Sequence, residues 1–160
     1  YIQYHSTETA LLKVHNDLSR YIDDGASCLL VLLDLSAAFD TVHLDTLMTR
    51  LESYFGVSDL ALSWIRSYLT GRTSCVCIQC AESLSRDVKH GVPQGSVLGP
   101  VLFTLYVTPL KHIFAKYDIS YHLYADDMQL YVPFRWDNNG DHESAHNKLQ
   151  ACVQEVKAWI

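Results

Sequence analysis

Nowhere does the chain carry an apolar run close to the ~20 residues needed to cross a bilayer. The longest, Cys28-Leu29-Leu30-Val31-Leu32-Leu33, is far too short, and no basic stretch followed by an apolar core opens the sequence. No secretory signal is visible, and no membrane association is expected. Positive charge is scarce too: 12 Lys and Arg against 18 Asp and Glu give a net charge of −6. Phosphate contacts are made largely by Lys and Arg, so this balance argues against a self-sufficient nucleic-acid binder. Cysteine numbers five, an odd count without a disulfide framework, which favours a reducing compartment. Cys75, Cys77 and Cys80 lie close enough to suggest zinc, yet no fourth Cys or His follows at a finger-like spacing, which weighs against it. Between Thr73 and Cys80 they read as small apolar strand residues. Internal repeats and low-complexity tracts are absent.

What is present is one domain's worth of chain, 160 residues that are 49% hydrophobic, enough to bury a core. Apolar residues at Leu11, Val14, Leu18, Tyr21 and Ile22 keep helical spacing, with Ser6 as N-cap and Gly25 as the stop. His5 and His15 read as surface or packing residues. The run from Cys28 ends in Asp34, as a strand covered on both faces would look. An acid at the end of such a strand either caps the following turn, since Ser36-Ala37-Ala38-Phe39-Asp40 looks like a short helical start, or holds a metal. Leu44 to Tyr54 and Ser58 to Leu69 read as two amphipathic helices, with Leu47, Leu51, Tyr54, Leu62, Ile65 and Leu69 as core and Arg66 and Arg72 as surface. Thr73 to Cys80 and Leu84 to Lys89 form an expected strand pair joined by Ala81-Glu82-Ser83.

Gly91-Val92-Pro93-Gln94-Gly95-Ser96 is a loop of breakers leading into a buried helix over Val97 to Tyr106, which ends or kinks at Pro109. It lacks the Lys and spacing of a Walker motif, and on spacing alone it reads as a structural turn. Tyr121 to Tyr131 alternates large apolar residues around Asp126-Asp127, which predicts a hairpin with the acids at its tip. Two carboxylates ~4 Å apart repel by roughly 4 kcal/mol at an effective dielectric of ~20, so a partly buried pair calls for a counterion, and a solvated Asp-Asp turn is the alternative. A polar loop, Trp136 to Asp141, precedes a final helix over His142 to Ile160 with Leu149, Val153, Val156 and Ile160 on one side.

Three blocks stand in order: Asp34-Leu35-Ser36-Ala37-Ala38-Phe39-Asp40, Gly91-Val92-Pro93-Gln94-Gly95-Ser96-Val97-Leu98-Gly99-Pro100, and Tyr124-Ala125-Asp126-Asp127. Together they closely resemble the central palm motifs of reverse transcriptases, most like those of non-LTR (LINE-type) retrotransposons. The likeness extends through His5 to Leu11, Ser63 to Leu69 and Leu130-Tyr131. The resemblance implies an α+β fold, a polymerase palm-like antiparallel sheet backed by helices with partial fingers, across residues 1–160. It implies RNA-directed DNA polymerase activity, a two-metal nucleotidyl transfer adding dNTPs to the 3′ hydroxyl of a DNA primer on an RNA template. By motif position, Asp34 and Asp126 are the expected metal-binding carboxylates, the Leu35 backbone carbonyl a further ligand, and Asp127 a supporting acid. Two Mg²⁺ ions are expected, with Mn²⁺ as a substitute. Phe39 falls at the family's steric gate against the ribose 2′ hydroxyl, with a core Phe as its alternative. Gln94 and Gly95 are the expected nucleotide contacts, and Asp40 is expected in a turn or cap.

Related elements usually read Thr-Val-Asp-His where this chain has Thr41-Val42-His43-Leu44, and Tyr1-Ile2-Gln3-Tyr4 differs from their Gly- and Arg-containing lead-in. Those departures point to a decaying copy, while the absence of segments matching the rest of the family's polymerase gives the expectation of a metal-carrying middle portion of a larger enzyme, acting in nucleus and cytoplasm. Upstream fingers, downstream thumb and an endonuclease domain would lie outside it, and the isolated fragment would be inactive. The alternative is a catalytically inactive remnant that folds as a palm. An unrelated metal-dependent phosphatase or nuclease using Asp34 and Asp126 would explain the acids but not the Gly91 to Pro100 loop or Phe39.

Overall fold

The computed structural model describes residues 6–35, 37–136 and 140–159. Expectations for His5, Ser36, the middle of the 136–141 loop and Ile160 lie outside those residues. The chain divides into two compact units, one formed by residues 1–35 and 109–160 and the other by residues 36–108.

The first unit opens with helix α1, Thr7–Asp23, whose start is closed by a reciprocal cap. Ser6 Oγ accepts the Thr9 N–H at 3.3 Å and Thr9 Oγ1 accepts the Ser6 N–H at 2.8 Å. Strand β1, Ser27–Asp34, follows as expected. After the second unit the chain returns as α5, Leu110–Lys116, then β6, Ser120–Tyr124, and β7, Asp127–Phe134, and closes with α6, Asp141–Trp159. The strands form an antiparallel sheet in the order β1-β7-β6, in line with the α+β class.

Successive side chains of a strand alternate between faces, so the sheet has two distinct sides. Met128, Leu130, Val132 and Phe134 share one side and are all buried. Against that side pack α5, where the Phe114 and Tyr121 ring centroids are 4.6 Å apart, and α6, which buries Leu149, Cys152 and Val156. Lys116 and the Tyr117 hydroxyl both donate to Glu155 Oε2, at 2.6 and 2.7 Å, and fasten the end of α5 to α6. Each fully buried Leu or Phe there contributes about 1.5–3 kcal/mol, which makes this layer the unit's main source of stability.

The opposite side carries Leu30, Tyr131 and Ser120 in one cross-strand row and faces α1. Tyr21 bonds Ser120 through their hydroxyls at 3.0 Å, and Tyr131, only 2% exposed, donates to Asp17 Oδ2 at 2.6 Å. Burial pushes the Asp17 carboxyl up, but the Lys13 ammonium at 2.6 Å and the Tyr131 hydroxyl outweigh it and hold the group below its ordinary value. Burial and then the Asp17 charge push the Tyr131 hydroxyl upward, so it stays a donor. This side is only partly covered: Leu30 is 41% and Leu32 70% exposed, where a strand covered on both faces was expected. The cause is position. β1 is the edge of an antiparallel sheet, and such sheets commonly leave part of one face to solvent.

The second unit contains α2, Leu44–Ser53, α3, Asp59–Leu69, and α4, Gly99–Val107. Leu47, Met48 and Leu51 of α2 pack toward α4, which buries Leu102, Phe103 and Tyr106. Arg50 donates to the Tyr106 carbonyl at 2.6 Å while lying 4.3 Å over its ring. Tyr54, expected in the core, is 39% exposed, because it falls at the C-cap of α2 and turns onto Phe55. Leu69 is fully buried, and Leu62 and Ile65 half-buried. The helix after the breaker loop ends at Val107, as the approach of Pro109 requires.

Between α3 and α4 runs an interrupted two-stranded ribbon: β2, Thr73–Ser74, pairs with β5, Arg86–Asp87, and β3, Cys77–Ile78, with β4, Ala81–Glu82. Its turn is Gln79-Cys80, two residues before the expected connection, and Gln79 takes φ +53 to make it. All three of its cysteines are exposed, so they are not packed as small apolar residues. No described helix is long and apolar enough to cross a membrane.

Two substitutions probe this packing. Tyr131→Phe strands a largely buried carboxylate without its hydroxyl donor and is expected to lower the unfolding free energy by about 1–2 kcal/mol, seen as an earlier denaturant midpoint at unchanged m. An unmoved midpoint would show that water replaces the hydroxyl at no loss. His43 occupies the N-cap of α2 with no side-chain cap bond. His43→Asp should raise stability by about 1 kcal/mol, unless its ring contact with His90, centroids 4.8 Å apart, is worth more than the cap.

Candidate active site

The expected acids all lie in the first unit. Asp34 closes β1, and the β1–β7 register sets it directly opposite Asp127, the first residue of β7. Directly opposed residues of an antiparallel pair project to the same face, with Cα atoms about 4.5–5.5 Å apart. Tyr124, at the end of β6, is the partner of Asp127 on its other side. Ala125 and Asp126 form the two-residue turn between β6 and β7, and Ala125 takes φ +53, the left-handed conformation that tight hairpins require. Two chain segments nearly a hundred residues apart thus bring three carboxylates to one end of one sheet. The register pairs Asp34 with Asp127, and Asp126 is the residue at the bend.

Asp34 and Asp127 are exposed and Asp126 half-buried. Both ion pairs among the described residues lie elsewhere, Lys13–Asp17 and Lys116–Glu155, so no Lys or Arg neutralises these acids there. Opposed carboxylates without a basic neighbour repel, and a hard divalent cation bound through their oxygens relieves the repulsion. The donor set, three carboxylates and the Leu35 carbonyl just past the strand, fits a magnesium-type ion, which keeps several waters and takes few protein ligands. The trio is gathered by register, without closing to the mutual 4.8 Å reached by another cluster, Cys75, Cys77 and Glu82.

The next row along the same face holds Leu32, Gln129 and His122. His122 Nε2 and Gln129 Oε1 are both buried and have no hydrogen-bond partner. Burial, then the Lys13 charge, lowers the proton affinity of His122 and keeps its ring neutral. A potential donor and an acceptor on paired residues therefore form a neutral polar layer next to the acids. The alternation around Asp126-Asp127 already placed these two residues on the acid-bearing face, a signal that a search confined to charged residues passes over.

Phe39, Gln94 and Gly95 belong to the second unit. Residues 37–40 form a turn in which the Asp40 and Thr41 N–H groups both donate to the Ala37 carbonyl, at 2.8 and 3.1 Å. The breaker loop lies against it: the Val92 N–H donates to the Phe39 carbonyl at 2.7 Å, and the Gly91 N–H to the Val42 carbonyl at 2.8 Å. Gly91 has φ +82, and a Cβ there would sit 2.8 Å from both Asp40 Cα and the Phe39 carbonyl oxygen. Gln94 Nε2 donates to Asp40 Oδ2 at 3.0 Å, so Asp40, expected only in a turn or cap, also holds the glutamine. Arg72, expected on the surface, donates to the Leu69, His90 and Gly91 carbonyls and pins the loop's entry. Phe39 is half-buried, its ring tilted against Phe103 at 5.0 Å between centroids. Gly95 has φ +73, with no atom within 4 Å of a Cβ position. Within this unit the structure brings Phe39, Asp40 and Gln94 together.

Residues 2–160 match the family described as reverse transcriptase (RNA-dependent DNA polymerase). The chain is similar to a probable RNA-directed DNA polymerase from transposon BS of Drosophila melanogaster, 30% identical over 98% of this chain and 17% of that protein. It is similar to another, from transposon X-element of the same species, 34% identical over 78% of this chain and 13% of that protein. A third relative, the RNA-directed DNA polymerase from mobile element jockey, is 29% identical over 77% of this chain and 14% of that protein. The chain spans less than a fifth of the length of any of these relatives.

Gly91→Ala should lower stability by about 3 kcal/mol or more, because it combines an unfavourable φ with a backbone collision. Gly95→Ala, at a similar φ in open space, should cost only about 1 kcal/mol. Equal losses in chemical unfolding would show that conformation alone, rather than the close approach to Phe39 and Asp40, requires glycine at position 91.

Proposed function

From the premise that the chain belongs to the reverse transcriptase family, of the kind encoded by non-LTR retrotransposons, we propose that it is the metal-carrying part of an RNA-directed DNA polymerase. In this reading it adds dNTPs to the 3′ hydroxyl of a DNA primer on an RNA template. The observation that supports this most is the β1–β7 register, which aligns Asp34 with the acidic hairpin that carries Asp126 and Asp127. A phosphatase or nuclease would need the acids but not the Gly91 loop locked onto the Phe39-Asp40 turn.

Two magnesium ions, with manganese as substitute, would supply charge neutralisation of the triphosphate and activation of the primer hydroxyl. Asp34 and Asp126 would hold them through carboxylate oxygens, the Leu35 carbonyl would add a ligand, and Asp127 would support the pair. Phe39, steadied by Phe103, presents an aromatic ring that a ribose 2′ hydroxyl would strike, which favours deoxyribonucleotides by packing. Gln94, oriented by Asp40, approaches the nucleotide or template base, and Gly95 leaves room for it. The net charge of −6 accords with basic template-holding surfaces carried by other parts of a full-length protein, its remaining fingers, thumb and endonuclease domains.

Grafted in place of the matching segment of an intact relative, the chain should support primer extension. Asp34→Ala or Asp126→Ala should reduce the rate by more than roughly a hundredfold, beyond the 10–100-fold typical of groups that only support a metal ligand. The isolated chain should bind Mn²⁺ weakly, lose that binding on the same substitutions, and extend primers poorly or not at all. Full activity of the graft with either acid removed would overturn the assignment.

A further inference from the structure

The exposed ribbon of the second unit gathers a ligand set that the cysteine spacing alone does not show. Cys75 and Cys77 are two apart in the chain, Cys75 in the break between β2 and β3 and Cys77 at the start of β3, and their sulfurs meet on one side of the ribbon at 3.9 Å. Glu82 is the direct cross-strand partner of Cys77 and therefore joins that face. The tight Gln79-Cys80 turn and the bonds between Val76 and Ser83, N–H to carbonyl and N–H to hydroxyl, both at 2.9 Å, hold the two strands in this register. One ligand atom from each of Cys75, Cys77 and Glu82 lies within 4.8 Å of the others, and the two sulfurs are 3.9 Å apart.

We propose that Cys75, Cys77 and Glu82 bind one thiophilic divalent cation of the zinc class, with the fourth coordination position open to solvent. Tetrahedral zinc with Zn–S bonds of about 2.3 Å separates two thiolate sulfurs by about 3.8 Å. The observed 3.9 Å matches that geometry, and it is far longer than a disulfide, whose sulfurs lie about 2.05 Å apart. Two soft sulfurs and one carboxylate select zinc over magnesium or calcium, which take oxygen ligands only. Binding would release the thiol protons to solvent as the metal–sulfur bonds form. The ion would staple a ribbon whose paired strands are only two residues long and fully exposed, too little to be stable as a hairpin alone.

The test is a Co²⁺ titration of the reduced 160-residue chain without oxygen, followed by displacement with Zn²⁺. Thiolate-to-cobalt charge-transfer absorption should saturate near one equivalent, as expected for a single site. It should fall to about half in Cys75→Ser or Cys77→Ser, vanish in the double variant and persist in Cys28→Ser/Cys80→Ser. Glu82→Gln should keep the absorption but weaken binding roughly tenfold. Apart from Cys28→Ser, which lies in the half-buried strand β1, these substitutions sit on an exposed ribbon away from the core, and circular dichroism of each variant verifies that the fold is kept. Absorption that survives the Cys75→Ser/Cys77→Ser pair, follows Cys28 and Cys80 instead, or fails to saturate would overturn the assignment.

Discussion

The pairing of β1 with β7 decides what the acidic hairpin can do. Side chains on a strand alternate with a period of two, so a slip of one residue would send Asp34 to the α5–α6 face and Leu33 to the face it leaves. What prevents the slip is the apolar layer of Met128, Leu130, Val132 and Phe134 on the far side and the Tyr131–Asp17 bond on the near side. Burial on one face thus specifies the position of charge on the other. The carboxylates themselves contribute nothing to this alignment and work against it by repulsion.

The second unit solves a different problem, the placement of a loop. Gly91, Val92 and Gln94 are bound to the 37–42 segment through two backbone hydrogen bonds and one side-chain bond, and Arg72 ties the loop's entry to the end of α3. The contact at Gly91 is close enough to exclude any side chain. A loop of breakers therefore acts as a rigid support for Phe39 and Gln94. Its rigidity comes from backbone contacts that require glycine at position 91 and from the Gln94 and Arg72 side-chain bonds.

Departures from the related pattern acquire physical meaning in the same frame. His43, where the resemblance would place Asp, is the N-cap of α2 and makes no side-chain cap bond, which leaves the start of that helix less stable than an Asp cap would. Val42, by contrast, is fully buried and its carbonyl accepts from Gly91, so the part of the segment that touches the loop is intact.

Local pattern by itself determined the long elements. The capped first helix, the strand ending in Asp34, the helix after the loop, the Asp126-Asp127 hairpin and the last helix follow from periodicity and from Ser, Gly and Pro at their ends. The order of three motif blocks was enough for the family. Tertiary structure decided the rest, because the deciding contacts join residues far apart in the chain. Which acid opposes Asp34, that Leu30 and Leu32 lie on an edge strand, and that Arg72 serves the loop all depend on strand order and packing. The ribbon's turn fell two residues earlier than its composition suggested, and that shift alone carried Glu82 opposite Cys77. A register is set by the sum of contacts along both strands, and no single stretch of sequence contains that sum.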